Sequence, residues 1–141
     1  MEWKKQNYMV SDDSTIFDGN RIHEMLKTTY WAAERTRAQI DKSLKNSLSL
    51  GLFDQSVQIG FARAVTDYST FSWICDVIIH NDYRNQGLGK WIIQCLVEHP
   101  DISSTRMILA TKDAQTLYQK YGFARHPFEC MVKKEVLDIR V

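Results

Sequence analysis

The stretch from Asp76 to Lys90 constrains the fold of this chain more than any other. It opens as an apolar strand (Val77, Ile78, Ile79), breaks at the polar run His80 to Asp82, and restarts as a helix after Gly87 and Gly89. Trp91, Ile92, Ile93, Leu96 and Val97 then supply one apolar helical face. A strand that turns directly into a helix leaves backbone N–H groups unpartnered at the helix start. Those groups, with the positive end of the helix dipole, favour an anion. Gly87 and Gly89 carry no Cβ, so a phosphate can approach the main chain closely, and Arg84 and Lys90 add positive charge at either end of the turn. The expectation is a phosphate-bearing ligand held mainly by backbone.

Two familiar phosphate loops do not match. The dinucleotide fingerprint needs G-x-G-x-x-G, and here Gly87-Leu88-Gly89 runs into Lys90-Trp91-Ile92 without the third glycine. The ATP and GTP loop needs four residues between its first two glycines and then Lys-Ser/Thr, which is also absent.

The 141 residues suit a single domain, 1–141, with one substantial core. A formal net charge of +1 gives no basic excess for nucleic acid. The apolar runs are too short to span a bilayer, and no apolar signal core follows Lys4 and Lys5, so the expected setting is cytoplasmic, without a membrane. Cys75, Cys95 and Cys130 make no C-x-x-C, so neither a metal site nor a disulfide framework is expected.

Taken in order, Trp3 to Val10 reads as a first strand. Asp18 caps a helix that ends near Thr28-Thr29, and Thr36 caps a second in which Ile40, Leu44 and Leu48 recur every fourth residue. The period then changes to two for Ser49 to Phe53, Val57 to Val65 and Phe71 to Ile79. A helix from Gln86 stops near His99-Pro100. Met107 to Ala110 is a short strand, Asp113 to Tyr121 a helix closed by Gly122, and Phe128 to Val132 a last strand. The class is α/β, a mixed sheet with helices on its faces.

Arg84-x-x-Gly87-x-Gly89 resembles the pyrophosphate-binding motif of the GNAT superfamily, the acyl-CoA-dependent N-acyltransferases. Ala114-x-x-Leu117-Tyr118-x-Lys120-x-Gly122-Phe123 is similar to that superfamily's second signature, and the order of elements is the one its fold has. Gly60 to Arg63, Phe71 to Val77 and Thr111 to Ala114 look like a small branch of compact members whose substrates are uncharacterised. The resemblance implies a mixed central sheet of about six to seven strands flanked by about four helices. It implies acetyl-CoA as co-substrate and an amine as acceptor, in a monomer or homodimer. Val77, Ile78 and Ile79 would offer main chain to the pantetheine arm, and Arg84, Asn85, Gln86, Gly87, Leu88, Gly89 and Lys90 would hold the pyrophosphate. Tyr118 would point at the CoA sulfur, with its phenol pKa of roughly 10 a little above a thiol's roughly 8.5.

Acetyl transfer also needs a base for the amine. The positions where members of the superfamily often carry a glutamate have none here, Trp73 standing at one of them. Asp76, a carboxylate in an apolar strand, is the nearest candidate, with hydrogen bonding to a neighbouring loop as its alternative role. Tyr30, Trp31 and Phe71 are candidates for the acceptor wall. A non-catalytic acyl-CoA sensor is the competing reading, and nothing in the sequence selects the amine.

Overall fold

The computed structural model describes residues 1–133. Six strands form one sheet in the order β1 (Glu2–Lys5), β2 (Tyr8–Ser11), β3 (Leu48–Asp54), β4 (Val57–Thr66), β5 (Phe71–Ile79), β6 (Arg106–Leu109). Neighbours are antiparallel as far as β5, and β6 runs parallel to β5. The described residues also hold four α-helices: α1 (Gly19–Lys27), α2 (Arg37–Lys45), α3 (Leu88–Val97) and α4 (Gln115–Gln119). The mixed α/β sheet is the expected architecture.

Local chemistry sets the helix boundaries. The Asp18 carboxylate accepts from Asn20 N and Arg21 N, and Thr36 with Gln39 forms a reciprocal capping box, so both starts satisfy orphan N–H groups. Ile22, Met25 and Leu26 of α1 and Ile40 of α2 bury against Phe61 and Ile78 on one sheet face. Leu88, Ile92, Cys95 and Leu96 of α3 bury against Leu50, Leu52, Ile59, Ile74 and Ile79 on the other.

Several boundaries differ from the sequence expectation. Trp3 to Val10 is a hairpin rather than one strand, because Gln6 takes a positive φ of 55° and reverses the chain. Leu48 opens β3 instead of closing α2, since the helix ends at Lys45 with Asn46 as its cap. Helix α3 begins at Leu88, two residues later than expected, behind the left-handed Gly87. Phe128 to Val132 forms no strand: Phe128 and Met131 are exposed, and among the described residues no strand pairs with the outer edge of β6. An apolar run gains strand geometry from a ladder partner, and this one has none there.

Candidate active site

The site is created by a flaw in β5. Asp76 has a positive φ of 54°, and the β4–β5 register slips between Phe61 and Arg63, the mark of a bulge. In a regular strand, residues five apart face opposite sides of a sheet. Ile74 and Ile79 nevertheless pack into the same core cluster, because the bulge supplies the extra residue. Beyond it β5 also loses its other neighbour. Strand β6 pairs only with Phe71 to Ile74, so among the described residues the edge from Cys75 to Ile79 is left open on that side. Two cavities border this free edge, and Val77 lines both.

The first cavity, about 350 Å³, is lined by Val77, Ile78, Ile79, Tyr83, Arg84, Asn85, Gly87, Leu88 and Gly89. Asn85 and Gly87 both take left-handed backbone (φ 63° and 78°), which turns the chain into the N-terminus of α3. A Cβ built on Gly87 meets nothing within 4 Å, and one on Gly89 meets only Ile79 Cγ1 at 3.7 Å. The protein itself therefore does not fill the space over these glycines. Arg84 folds back to donate from Nε to the Ile79 carbonyl at 3.1 Å, tying the turn to the end of β5. Gln86 and Lys90, expected at the pyrophosphate, do not line the cavity: Gln86 Oε1 accepts from the Tyr8 hydroxyl, and the Lys90 carbonyl accepts from the Tyr121 hydroxyl.

The second cavity, about 170 Å³, lies between β5, the β6–α4 segment and the loop after α1. Tyr118 of α4 lines it, and so do Tyr30, Trp31, Trp73, Cys75, Asp76 and Asp113. Gly122 (φ 85°) ends α4, with Phe123 N donating to the Tyr118 carbonyl, and the ring of Phe123 packs edge-on against Tyr118 at 5.9 Å. Burial, with the neighbouring Cys75 adding to it, pushes the Tyr118 phenol up to about 12. Burial and the charge of Asp76 likewise push the Cys75 thiol up to about 12. At neutral pH the cavity thus holds a protonated phenol and an unreactive thiol.

Tyr30 and Trp31 stack edge-to-face at 5.0 Å, and Lys112 Nζ lies 5.4 Å from the Tyr30 ring centroid, across from the β6–α4 segment. Phe71 is not part of this wall. It starts β5, about 16 Å of extended chain before Asp76, and is partly exposed beside Arg106. Trp73 lines the cavity instead.

Asp76 is 3% exposed, and its carboxylate is shared. Oδ2 accepts from Arg35 Nη1 at 2.5 Å and from Arg63 Nε at 2.8 Å, while Oδ1 is buried without a partner. Arg35 lies in the segment between α1 and α2, so the alternative of a hydrogen bond to a neighbouring loop describes what the carboxylate does in this structure. Both arginines escaped the sequence reading, since they stand 41 and 13 residues from Asp76. Asp113 was read only as a helix start.

The family model for the acetyltransferase (GNAT) domain matches residues 45–125. An uncharacterised N-acetyltransferase, ycf52, of Pyropia yezoensis is 31% identical over 113 residues, 75% of this chain and 64% of the relative. The chain thus spans just under two thirds of that relative's length. Among solved structures, a protein of Xanthomonas campestris pv. campestris described as an acetyltransferase of the GNAT family superposes with a TM-score of 0.83 at 33% identity, covering 89% of this chain and 93% of that one. A GNAT family acetyltransferase of Elizabethkingia anophelis, solved with acetyl-CoA bound, superposes with a TM-score of 0.65 at 18% identity, over 85% of this chain and 78% of that one. At that identity the likeness is one of fold.

Proposed function

Since this chain belongs to the GNAT acetyltransferase family, we propose that it moves an acetyl group from acetyl-CoA directly to a primary amine. One observation carries the reading: the open edge of β5 joins a helix start with free space over its glycines at one end to a cavity lined by a protonated tyrosine at the other. Main-chain groups of Val77, Ile78 and Ile79 would pair with the pantetheine arm as a strand pairs with a peptide. Arg84, Asn85, Gly87, Leu88 and Gly89 would surround the pyrophosphate, and the N–H groups opening α3 would meet its charge.

The chemistry follows from the second cavity. The amine nitrogen attacks the thioester carbonyl, a C–N bond forms, and the C–S bond breaks with its electron pair leaving on sulfur. Backbone N–H groups on the free edge of β5 would take the charge that develops on the carbonyl oxygen. Tyr118, neutral across the working range, supplies a hydrogen bond and then the proton to the leaving thiolate. The amine's own proton leaves through cavity water towards Asp113, a lining carboxylate with no ion pair among the described residues. Cys75, kept as a thiol, is a poor nucleophile, which supports direct transfer over an acetylated enzyme. Tyr30, Trp31 and Trp73 form the acceptor wall. The three free cysteines suit the cytoplasm as the place of this reaction.

The test is release of free thiol from acetyl-CoA in the presence of a panel of primary amines, with the product identified by mass. Acetyl-CoA binding without thiol release for any amine points instead to a module that holds acyl-CoA without turning it over.

A further inference from the structure

Asp76 joins two parts of the molecule that no main-chain ladder connects. Its side chain is 1% exposed and sits at the bulge, one residue before the strand assigned to the pantetheine arm. Arg63 reaches it from β4 and braces against Ser47 Oγ at 2.9 Å. Arg35 reaches it from the far end of the segment that carries Tyr30 and Trp31. Ala32 of that segment is buried in the cluster that holds Phe61 and Ile78, and Trp31 packs against it, while several of its hydrogen bonds are local. Ala32 N donates to Thr29 Oγ1, Arg35 N to the Ala32 carbonyl, and the Arg35 carbonyl meets His23 Nε2 at 3.1 Å. All three bonds stay within the segment or reach back to α1. Only the guanidinium of Arg35, among these hydrogen-bonding groups, crosses to the sheet.

A base must gain and lose a proton in every turnover. Protonating Asp76 would leave two guanidiniums, one of them 11% exposed, without their counter-charge in the interior. Breaking a buried pair in that way is strongly unfavourable. The Asp76 carboxylate is committed to these two guanidiniums.

We infer that Arg35 and Asp76 form a latch, a pair of positioning residues that holds the Tyr30–Trp31 wall against β5 beside the cofactor strand. The inference rests on reading the second cavity as the acceptor site. The role assigned to both is to position the wall, not to carry a proton. Releasing the latch loosens the acceptor wall and leaves the Gly87–Gly89 turn alone, because that turn is fixed by Arg84 on the Ile79 carbonyl. The expected signature is a KM effect for the amine without a matching loss of cofactor affinity.

Three full-length variants test it: Arg35→Gln, which keeps a polar side chain without charge; Arg35→Lys, which restores the charge; and Asp76→Asn. Arg35→Gln should raise the amine KM about tenfold while acetyl-CoA Kd stays within about twofold, the pattern of lost ground-state and transition-state binding together. Amide exchange at Ala32 and at position 35 should quicken by about tenfold or more, since the segment then opens locally. Arg35→Lys should recover most of both effects. Asp76→Asn should keep the acidic limb of the pH–rate profile. An unchanged KM and unchanged exchange in Arg35→Gln overturn the latch, and so does an acidic limb that vanishes in Asp76→Asn. If the wild type releases no thiol with any amine, the transferase reading fails. Exchange in Arg35→Gln then still decides whether the latch holds the segment.

Discussion

At Tyr118, burial holds the proton in place and at the same time makes the phenol a weaker acid. A phenol raised to about 12 keeps its proton across the neutral range, as the proposed role of proton donor requires. Tyr118→Phe retains the ring and its contact with Phe123, and kcat should fall by ~100-fold or more, the usual worth of a positioned acid. The same shift has a sign for stability. The folded pKa lies above the unfolded value of roughly 10, so the stability Tyr118 contributes is complete below about pH 10 and is lost as pH rises through about 12. Melting temperature followed against pH should therefore fall less steeply over that window in Tyr118→Phe than in the wild type. Cys75 makes the complementary case. If it stays a thiol, Cys75→Ala should keep kcat within about threefold, and incubation with acetyl-CoA alone should leave no acetyl label on the protein, as direct transfer requires no enzyme nucleophile. A labelled Cys75 would show a covalent route. Tyr118 was legible in the sequence because its neighbours Leu117, Gly122 and Phe123 come at fixed spacing. The partners of Asp76 were not, because a salt bridge 41 residues long in sequence is a product of the fold.

Among the elements, the turn into α3 is the most local and was the most readable. Gly87, Gly89 and the apolar face that follows lie within one stretch, and the structure puts Gly87 in the left-handed region with open space above it. Gly89 is helical, and a Cβ there makes an ordinary contact with Ile79, so Gly89→Ala should leave the melting temperature unchanged or higher, alanine being favoured over glycine in a helix by up to ~1 kcal/mol. It should nevertheless weaken acetyl-CoA binding, because the methyl group enters the space assigned to phosphate. Calorimetry and a thermal melt on the one variant separate the two effects, and undiminished affinity would remove the turn from the cofactor site. The caps at Asp18 and Thr36 were equally local, and both stand where their residue types predict. Elements that depend on a distant partner were less legible. The hairpin at Gln6 reverses without a glycine, and the bulge at Asp76 places a carboxylate in left-handed backbone inside a strand pattern. The run from Phe128 has the composition of a strand and no ladder to join among the described residues.

For the whole molecule, the order of strands decides where chemistry can occur. Among the described residues, five antiparallel strands close their ladders with one another, and the one parallel pair, β5 with β6, separates after Ile74. Helices α1 and α2 cover one face and α3 the other, so the separation opens between two packed layers and its walls come from distant parts of the chain. Apolar periodicity foretold the layers, but it could not foretell the separation, which depends on a parallel partner only four residues long, Arg106–Leu109. The central claim is that acetyl-CoA occupies this separation and passes its acetyl group to an amine in the adjoining cavity. Amine-dependent release of thiol from acetyl-CoA, with wild type and Tyr118→Phe measured side by side, tests that claim most directly. The account predicts thiol release that requires an amine, an acetylated amine as product, and a loss of ~100-fold or more in the variant. Acetyl-CoA that binds the wild type yet releases no thiol for any amine, or a variant that turns over at the wild-type rate, would contradict it.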